Sequence, residues 1–332
     1  MTRIFSGIKP TGHMTLGNYL GALRQWAEKD QHRAESLFCV VDLHALTVDH
    51  DPARLRRLSR QGATLLLAAG LDPEVCSVFL QSHVDEHARL SYVMECVASD
   101  GEMRRMIQYK EKSVRAQASG QSIRLSLLTY PALMAADILV YGADEVPVGE
   151  DQAQHVELTR DLAERFNHRY GHTFVVPRAV LPTVAARVMD LQDPTAKMGK
   201  SHAATAGIIY LLDEPDVMAR KIRRAVTDSR ADVTYEPDDR PGVANLLEIL
   251  SACTGKEPAA LADAYQGSGA LKADVADAVV ELLRPLQTRH AELCADPGYV
   301  DGVLREGAAR ARAIARPTVD AAYRAIGLLP PV

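Results

Sequence analysis

The sequence predicts an α/β protein with a doubly wound parallel sheet, followed by a mainly α-helical C-terminal region. Three observations carry that expectation. Leu37 to Val41 and Val75 to Leu80 are short apolar runs of the kind that parallel strands buried on both faces require, and the first runs into polar Asp42 and His44. Between them Asp51-Pro52 opens a helical segment with a cap and a proline at the first position, and Gly70 closes it, so strand and helix alternate. Beyond Ser201 the apolar residues fall at helical spacing almost throughout. Ligands of such a sheet sit beyond the carboxyl ends of its strands.

In chain order, Ile4-Phe5 is short, apolar and β-prone, and Gly7 and Pro10 break it. Leu16, Tyr19, Leu20 and Leu23 recur at helical spacing, so a helix begins near Gly17. Glycine there lets a ligand approach free backbone N–H groups, and the helix dipole favours phosphate. Segment 113–124, polar and rich in small residues, reads as a mobile loop near the site. Asn245 to Leu250, Val275 to Leu286 and Val303 to Ala322 carry helical apolar spacing with arginines and acids between. The expected division is a catalytic domain at 1–201 and a helical region at 202–332, whose last helix can pack back onto the first domain.

At 332 residues the chain exceeds one typical domain, and its hydrophobic content of 47% is that of a globular protein. A net charge of −5 argues against a generally basic coat, so an RNA partner would use local patches. Arg54, Arg56, Arg57 and Arg60 offer one such run, although the wet face of a helix looks the same and is the preferred reading. The five cysteines are odd in number and lack a Cys-x-x-Cys pair, which favours reduced thiols over a zinc site; no protein-held metal is expected. Neither a secretory leader nor a membrane-length apolar run is apparent, and a soluble cytoplasmic protein is expected.

Two basic, glycine-punctuated segments carry the chemistry: Gly7-Ile8-Lys9-Pro10-Thr11-Gly12-His13-Met14-Thr15-Leu16-Gly17-Asn18 and Lys197-Met198-Gly199-Lys200-Ser201. Neither is a familiar phosphate motif. Pro194 stands where a P-loop ending at Gly199-Lys200-Ser201 needs its first glycine, and the spacing of Gly7, Gly12 and Gly17 is not that of a dinucleotide fingerprint. Taken singly, the first is ordinary α/β punctuation and the second a solvated surface turn.

Their combination, in this order, resembles the two signatures of the class I aminoacyl-tRNA synthetases. Thr15-Leu16-Gly17-Asn18 stands for His-Ile-Gly-His, and Lys197-Met198-Gly199-Lys200-Ser201 for Lys-Met-Ser-Lys-Ser. The wording around them is similar to the bacterial tryptophan branch of that family, at Ser6 to Gly12, Gly17 to Leu23, Leu128 to Pro131, Met134 to Leu139, Val146 to Gln152 and Ala225 to Ser229. The resemblance covers nearly the whole chain. It implies a nucleotide-binding, Rossmann-like catalytic domain and an anticodon-binding C-terminal region. The implied reaction is activation of tryptophan by ATP, with transfer to tRNA(Trp), in a homodimer.

Carried over residue by residue, the resemblance assigns Lys197 and Lys200, with Ser201, to the departing pyrophosphate, and Lys112 as a further phosphate lysine. Thr15, Gly17 and Asn18 receive the nucleotide, along with Lys9, Pro10 and Thr11. Gly149, Glu150 and Asp151 face its ribose and adenine side, with Val188, Met198 and Gly199 completing the ATP site. Magnesium accompanies ATP. Asp137 accepts from the indole N–H, since an indole N–H is a donor only and a carboxylate a strong acceptor. Tyr130 and Gln152 hold the ammonium and carboxylate of the amino acid. Phe5, Gly7, Val41, Met134 and Val148 wall the ring, and His44 matches a pocket position.

Two residues depart from the family pattern. Gly199 replaces a serine, removing a hydroxyl and loosening the loop, and Lys9 stands where glutamine is commonest, adding charge beside the nucleotide. Two other readings stay open: the tyrosine enzyme of the same fold, and an inactive paralogue acting as an RNA-binding or regulatory module.

Overall fold

The computed structural model describes residues 2–118, 120, 122–181, 188–199 and 205–330. Among them, one sheet is formed by the parallel strands β1 (Arg3–Ile8), β2 (Glu35–Val40), β3 (Ser77–Leu80), β4 (Glu145–Pro147) and β5 (Arg178–Val180). Their order is β3-β2-β1-β4-β5. The chain winds outward from β1 to β3, then crosses to the other side of β1. The crevice beyond Ile8 and Pro147 is therefore the switch point at which such sheets bind ligands.

The first crossover is helical from 16 to 33. It begins as α1 (Leu16–Asn18), passes through wider turns at Tyr19–Leu23 and Trp26–Asp30, and ends as α2 (Gln31–Arg33). Leu16, Leu20 and Leu23 are buried as their spacing predicts, while Tyr19 is only half-buried. Trp26 is buried too and stacks on Phe38 of β2 with ring centroids 5.3 Å apart. The second crossover is α3 (Pro52–Ala68). Asp51 caps it by accepting from Arg54 N, and Gly70 ends it at φ +104°. Arg54, Arg56, Arg57 and Arg60 lie on its exposed face.

The strand after α3 starts later than its apolar run. Val75 and Cys76 both donate backbone N–H groups to Asp72 O, and this turn holds them out of the ladder until Ser77. Between β3 and β4 come α4 (Glu86–Val97), α5 (Asp100–Arg105), α6 (Ile107–Ala118) and α7 (Leu125–Leu139). The loop expected at 113–124 is thus corrected over its first half. α6 runs on through Ala118, because Arg115, Ala116, Gln117 and Ala118 are all good helix formers despite their small or polar character. Ser119 and Gln121 lie outside the described residues. α8 (Ala153–Tyr170) joins β4 to β5.

The C-terminal region is helical as expected: α9 (Pro215–Arg223), α10 (Pro241–Thr254), α11 (Pro258–Ala262), α12 (Ser268–Ala295) and α13 (Pro297–Ala325). Side chains alternate along β2, so Phe38 and Val40 face one core while Leu37 and Cys39 face the other. Leu246, Leu271 and Val279 of the C-terminal helices join the first core, and Ala308, Ala311 and Ala315 of α13 join the second. Small residues let α13 lie directly on β3. A Cβ built on Gly307 would stand 2.0 Å from Val78 O, closer than any real side chain tolerates. Among the described residues no helix is long and apolar enough to cross a membrane.

Candidate active site

A cavity of about 360 Å³ opens at the switch point. β1 and β4 bring Gly7 and Lys9, and Val148 and Gly149, to its rim, while α7 forms its floor. Tyr130, Met134 and Asp137 of α7 stand at i, i+4 and i+7, so one helix face presents all three. Phe5, Val41, His44 and Gln152 close the walls, and Asn18 and Lys112 also line the space. Every residue expected around the amino acid is gathered here. Apolar side chains and nearly as many polar ones line the space, whose volume falls within the roughly 300–1,000 Å³ of small-molecule sites.

Asp137 is 1% exposed. Its Oδ1 accepts from Gln81 Nε2 and His87 Nδ1, and its Oδ2 from His44 Nε2, each at 2.7 Å. A carboxylate offers about four acceptor positions, so capacity for one further donor remains on Oδ2. Burial by itself raises the carboxyl, but the charge and hydrogen bonds of His44 and His87 outweigh it and hold it well below the usual carboxylate range. An ionised acceptor with one open position is what a buried N–H donor needs. Phe5 stacks on Tyr141 at 5.4 Å and so ties the wall to this network, because Tyr141 also meets His87 Nε2 at 2.7 Å.

Two lysines also line the cavity. Lys9 Nζ donates to Thr47 Oγ1 at 3.0 Å, and burial followed by the Lys112 charge brings its ammonium down to about 8. Lys112 Nζ lies 5.4 Å above the Tyr130 ring and donates to Gln108 Oε1. Gln152 Nε2 donates to Asp151 Oδ2 at 2.7 Å. Asp151 Oδ1 in turn lies 3.6 Å from Lys197 Nζ.

Beyond the cavity the two glycine-punctuated segments meet. Thr15 caps α1: its hydroxyl accepts from Asn18 N, and Asn18 Oδ1 accepts from Thr15 N at 3.0 Å. This reciprocal pairing fixes the turn that carries Gly17. Met189 and Lys197 form an antiparallel bridge, and Met198 N donates to Val188 O at 3.0 Å. That small hairpin sits against α1, since a Cβ on Gly17 would be 3.5 Å from Met198 O and 3.6 Å from Val188 Cβ. A single Cβ there would meet both at ordinary contact distance, so the two segments are packed close against each other. Pro10, Thr11, Thr15, Gly17, Glu150, Asp151, Val188, Lys197, Met198 and Gly199 do not line the cavity itself. Lys200 and Ser201 lie outside the described residues.

Four contributors have no motif in the sequence: Gln81 and His87, which clamp Asp137, Thr47, which holds Lys9, and His155, which meets Tyr130. Only the capacity of a buried carboxylate for several donors signals that partners of this kind exist.

The family of class I tRNA synthetases for W and Y matches residues 1–284. Tryptophan--tRNA ligase 1 of Streptomyces coelicolor is 76% identical over 332 residues, covering 100% of this chain and 99% of that protein. Among solved structures, tryptophanyl-tRNA synthetase from Mycoplasma pneumoniae superposes with a TM-score of 0.92 at 38% identity, covering 99% of this chain and 98% of the other. The Campylobacter jejuni enzyme, solved with ADP and tryptophan, gives a TM-score of 0.83 at 30% identity over 98% of this chain and 100% of its own. Matched along its whole length and folded around an ionised acceptor at the switch point, the chain belongs to the tryptophanyl-tRNA synthetases of class I.

Proposed function

We propose that this protein ligates tryptophan to tRNA(Trp) in two steps at this cavity. The tryptophan carboxylate attacks the α-phosphate of ATP, giving tryptophanyl-adenylate and pyrophosphate. Tryptophan then passes to the 3′ terminal ribose of the tRNA. Neither step needs a protein nucleophile, so positioning and charge stabilisation supply the rate. The observation that carries this reading is Asp137, ionised, fully buried and with one acceptor position open at the floor of the cavity, below the apolar Phe5, Val41, Met134 and Val148.

In this mechanism Asp137 takes the indole N–H, and Phe5, Val41, Met134 and Val148 enclose the ring. Tyr130 receives the ammonium, and Gln152 the carboxylate. Lys197 and Lys200 neutralise charge growing on the leaving pyrophosphate, with Lys112 and Lys9 on the near side. Glu150 and Asp151 face the ribose and adenine. Magnesium would accompany ATP and help to neutralise its phosphates, without a dedicated all-protein cage.

The ATP and tryptophan sites belong to 1–201 and the anticodon-binding surface to 202–332. The working unit is a homodimer in the cytoplasm. Exposed Tyr92 on α4 and exposed Leu125 on α7, two helices packed on each other, support an interface there. Sedimentation resolves this, and a fully active monomer would refute it.

Exchange of labelled pyrophosphate into ATP tests the whole reading. A site built to pair a polar group rejects analogues lacking it by roughly 10⁴–10⁵. Exchange is expected with tryptophan and hardly at all with phenylalanine or tyrosine. Comparable rates with tyrosine would sink the assignment.

A further inference from the structure

We infer that His155 is a positioning residue for the substrate's ammonium group, acting through Tyr130. The inference rests on the reading above, in which Tyr130 receives that ammonium. The Tyr130 hydroxyl lies 2.7 Å from His155 Nε2, on the first turn of α8. His155 is 1% exposed, and its Nδ1 has no hydrogen-bond partner among the described residues.

The hydrogen-bond polarity decides what Tyr130 shows the cavity. An imidazole protonated at Nε2 would donate to the Tyr130 oxygen and turn the phenolic O–H toward the substrate. An ammonium is donor-only, so the two donors would then face each other. With Nε2 bare, the ring takes the Tyr130 proton, and the phenolic oxygen presents a lone pair to the ammonium. Only this second arrangement completes a chain of donors from substrate N–H to tyrosine O–H to His155 Nε2. Its hydrogen stays on Nδ1, the nitrogen without a partner.

The surroundings favour the neutral ring. Burial, followed by the Lys112 charge, brings the imidazole down to about 4. The orphaned Nδ1 is also informative. A phenylalanine would fill the same space with no polar atom left unpaired, so packing alone gives no reason for histidine here. The Nε2 contact with Tyr130 does.

The test compares two ligands. Indole-3-propionate keeps the indole and the carboxylate of tryptophan but has no amine. Calorimetric affinities for both are measured on the unmodified protein and on His155→Phe, His155→Gln and Tyr130→Phe. His155→Phe is expected to weaken tryptophan binding by about tenfold, the scale of one hydrogen bond to a charged group, and to leave indole-3-propionate unchanged. His155→Gln, which carries an acceptor, recovers most of the loss. In a Tyr130→Phe background, His155→Phe adds nothing. If His155→Phe does not fold, His155→Gln and Tyr130→Phe still carry the same ligand comparison. Equal losses for both ligands, or no loss for tryptophan, would overturn the inference. An unmodified protein that binds no tryptophan would instead remove the functional reading beneath it.

Discussion

His87, fully buried, donates from Nδ1 to Asp137 Oδ1 at 2.7 Å while its Nε2 meets the Tyr141 hydroxyl at the same distance. His87 thus bridges the Asp137 carboxylate and the Tyr141 hydroxyl, and the chain of bonds sets the rotation of the Asp137 carboxylate. With His44 and Gln81 also bound, the carboxylate has no freedom to turn away from the cavity. Asp137→Asn keeps the shape but loses the charge and places an amide among three donors. The Michaelis constant for tryptophan is expected to rise roughly 10- to 100-fold, the scale of a hydrogen bond to a charged group, while that for ATP changes little. Pyrophosphate exchange at varied tryptophan and varied ATP separates the two.

Gly7 controls the width of the cavity through Val41. A Cβ at position 7 would come within 2.8 Å of Val41 Cγ1, so Val41 must shift, and both residues line the cavity. Gly7→Ala is therefore expected to weaken tryptophan binding by roughly tenfold, at the level of one misplaced methyl group in an apolar pocket. Val41→Ala, made in the same chain, removes the clash and should restore most of the affinity. Failure of that rescue would place the effect in the β1 backbone instead.

Local chemistry was legible in the sequence, and long-range pairing was not. The Asp51 cap, Pro52 and Gly70 announced α3 because capping acts within a few residues. The two signature segments announced a shared site, and α1 and the Val188–Met198 hairpin do meet at Gly17. Gln81 and His87 gave no sign, because only the tertiary fold brings the end of β3 and the start of α4 to Asp137. Residues 113–118 read as loop yet belong to α6, because small and polar residues suit loops as well as helices. Val75 belongs to the apolar run but not to β3, because the Asp72 turn claims its N–H before the ladder can.

The C-terminal helices support the sheet as well as any role in RNA binding. Gly307 on α13 touches the β3 backbone at Val78, and no side chain fits between them. Gly307→Ala must lift α13 from β3, and a cost of about 1–3 kcal/mol is expected from such overpacking. Thermal melting measures it. A melting point equal to that of the unmodified chain would show that α13 docks loosely. A chain ending at Ser229 would also lose Leu246, Leu271 and Val279 from one core and the α13 alanines from the other. It should fail to fold.

Lys9 gives the site a pH response. Its ammonium stands at about 8, so it is mostly charged below that pH and neutral above it. A charged Lys9 attracts phosphate and a neutral one does not. The Michaelis constant for ATP should therefore rise as pH increases through about 8. Lys9→Gln is expected to lose this limb, with a higher and nearly constant value from pH 7 to pH 9. An unchanged pH profile in that variant would place Lys9 away from the nucleotide.

The last prediction concerns the second signature. Lys197 is anchored by the Met189 bridge and by Asp151, on a hairpin that presses against Gly17. If the lysines of this segment act on charge that develops in the transition state, Lys200→Ala should lower the turnover of adenylate formation. The Michaelis constant for ATP should change little. Loss of one such donor costs on the order of 10²–10³ in rate. Transfer from preformed tryptophanyl-adenylate to tRNA should suffer less, because the pyrophosphate has already left. Gly199→Ser restores the usual hydroxyl, and it should change activation by less than about tenfold if that hydroxyl only anchors the loop, since one neutral hydrogen bond is worth no more. Single-turnover measurements of both half-reactions on the three proteins decide the matter. Equal losses in both for Lys200→Ala would make the segment a structural clamp and take the pyrophosphate chemistry away from it.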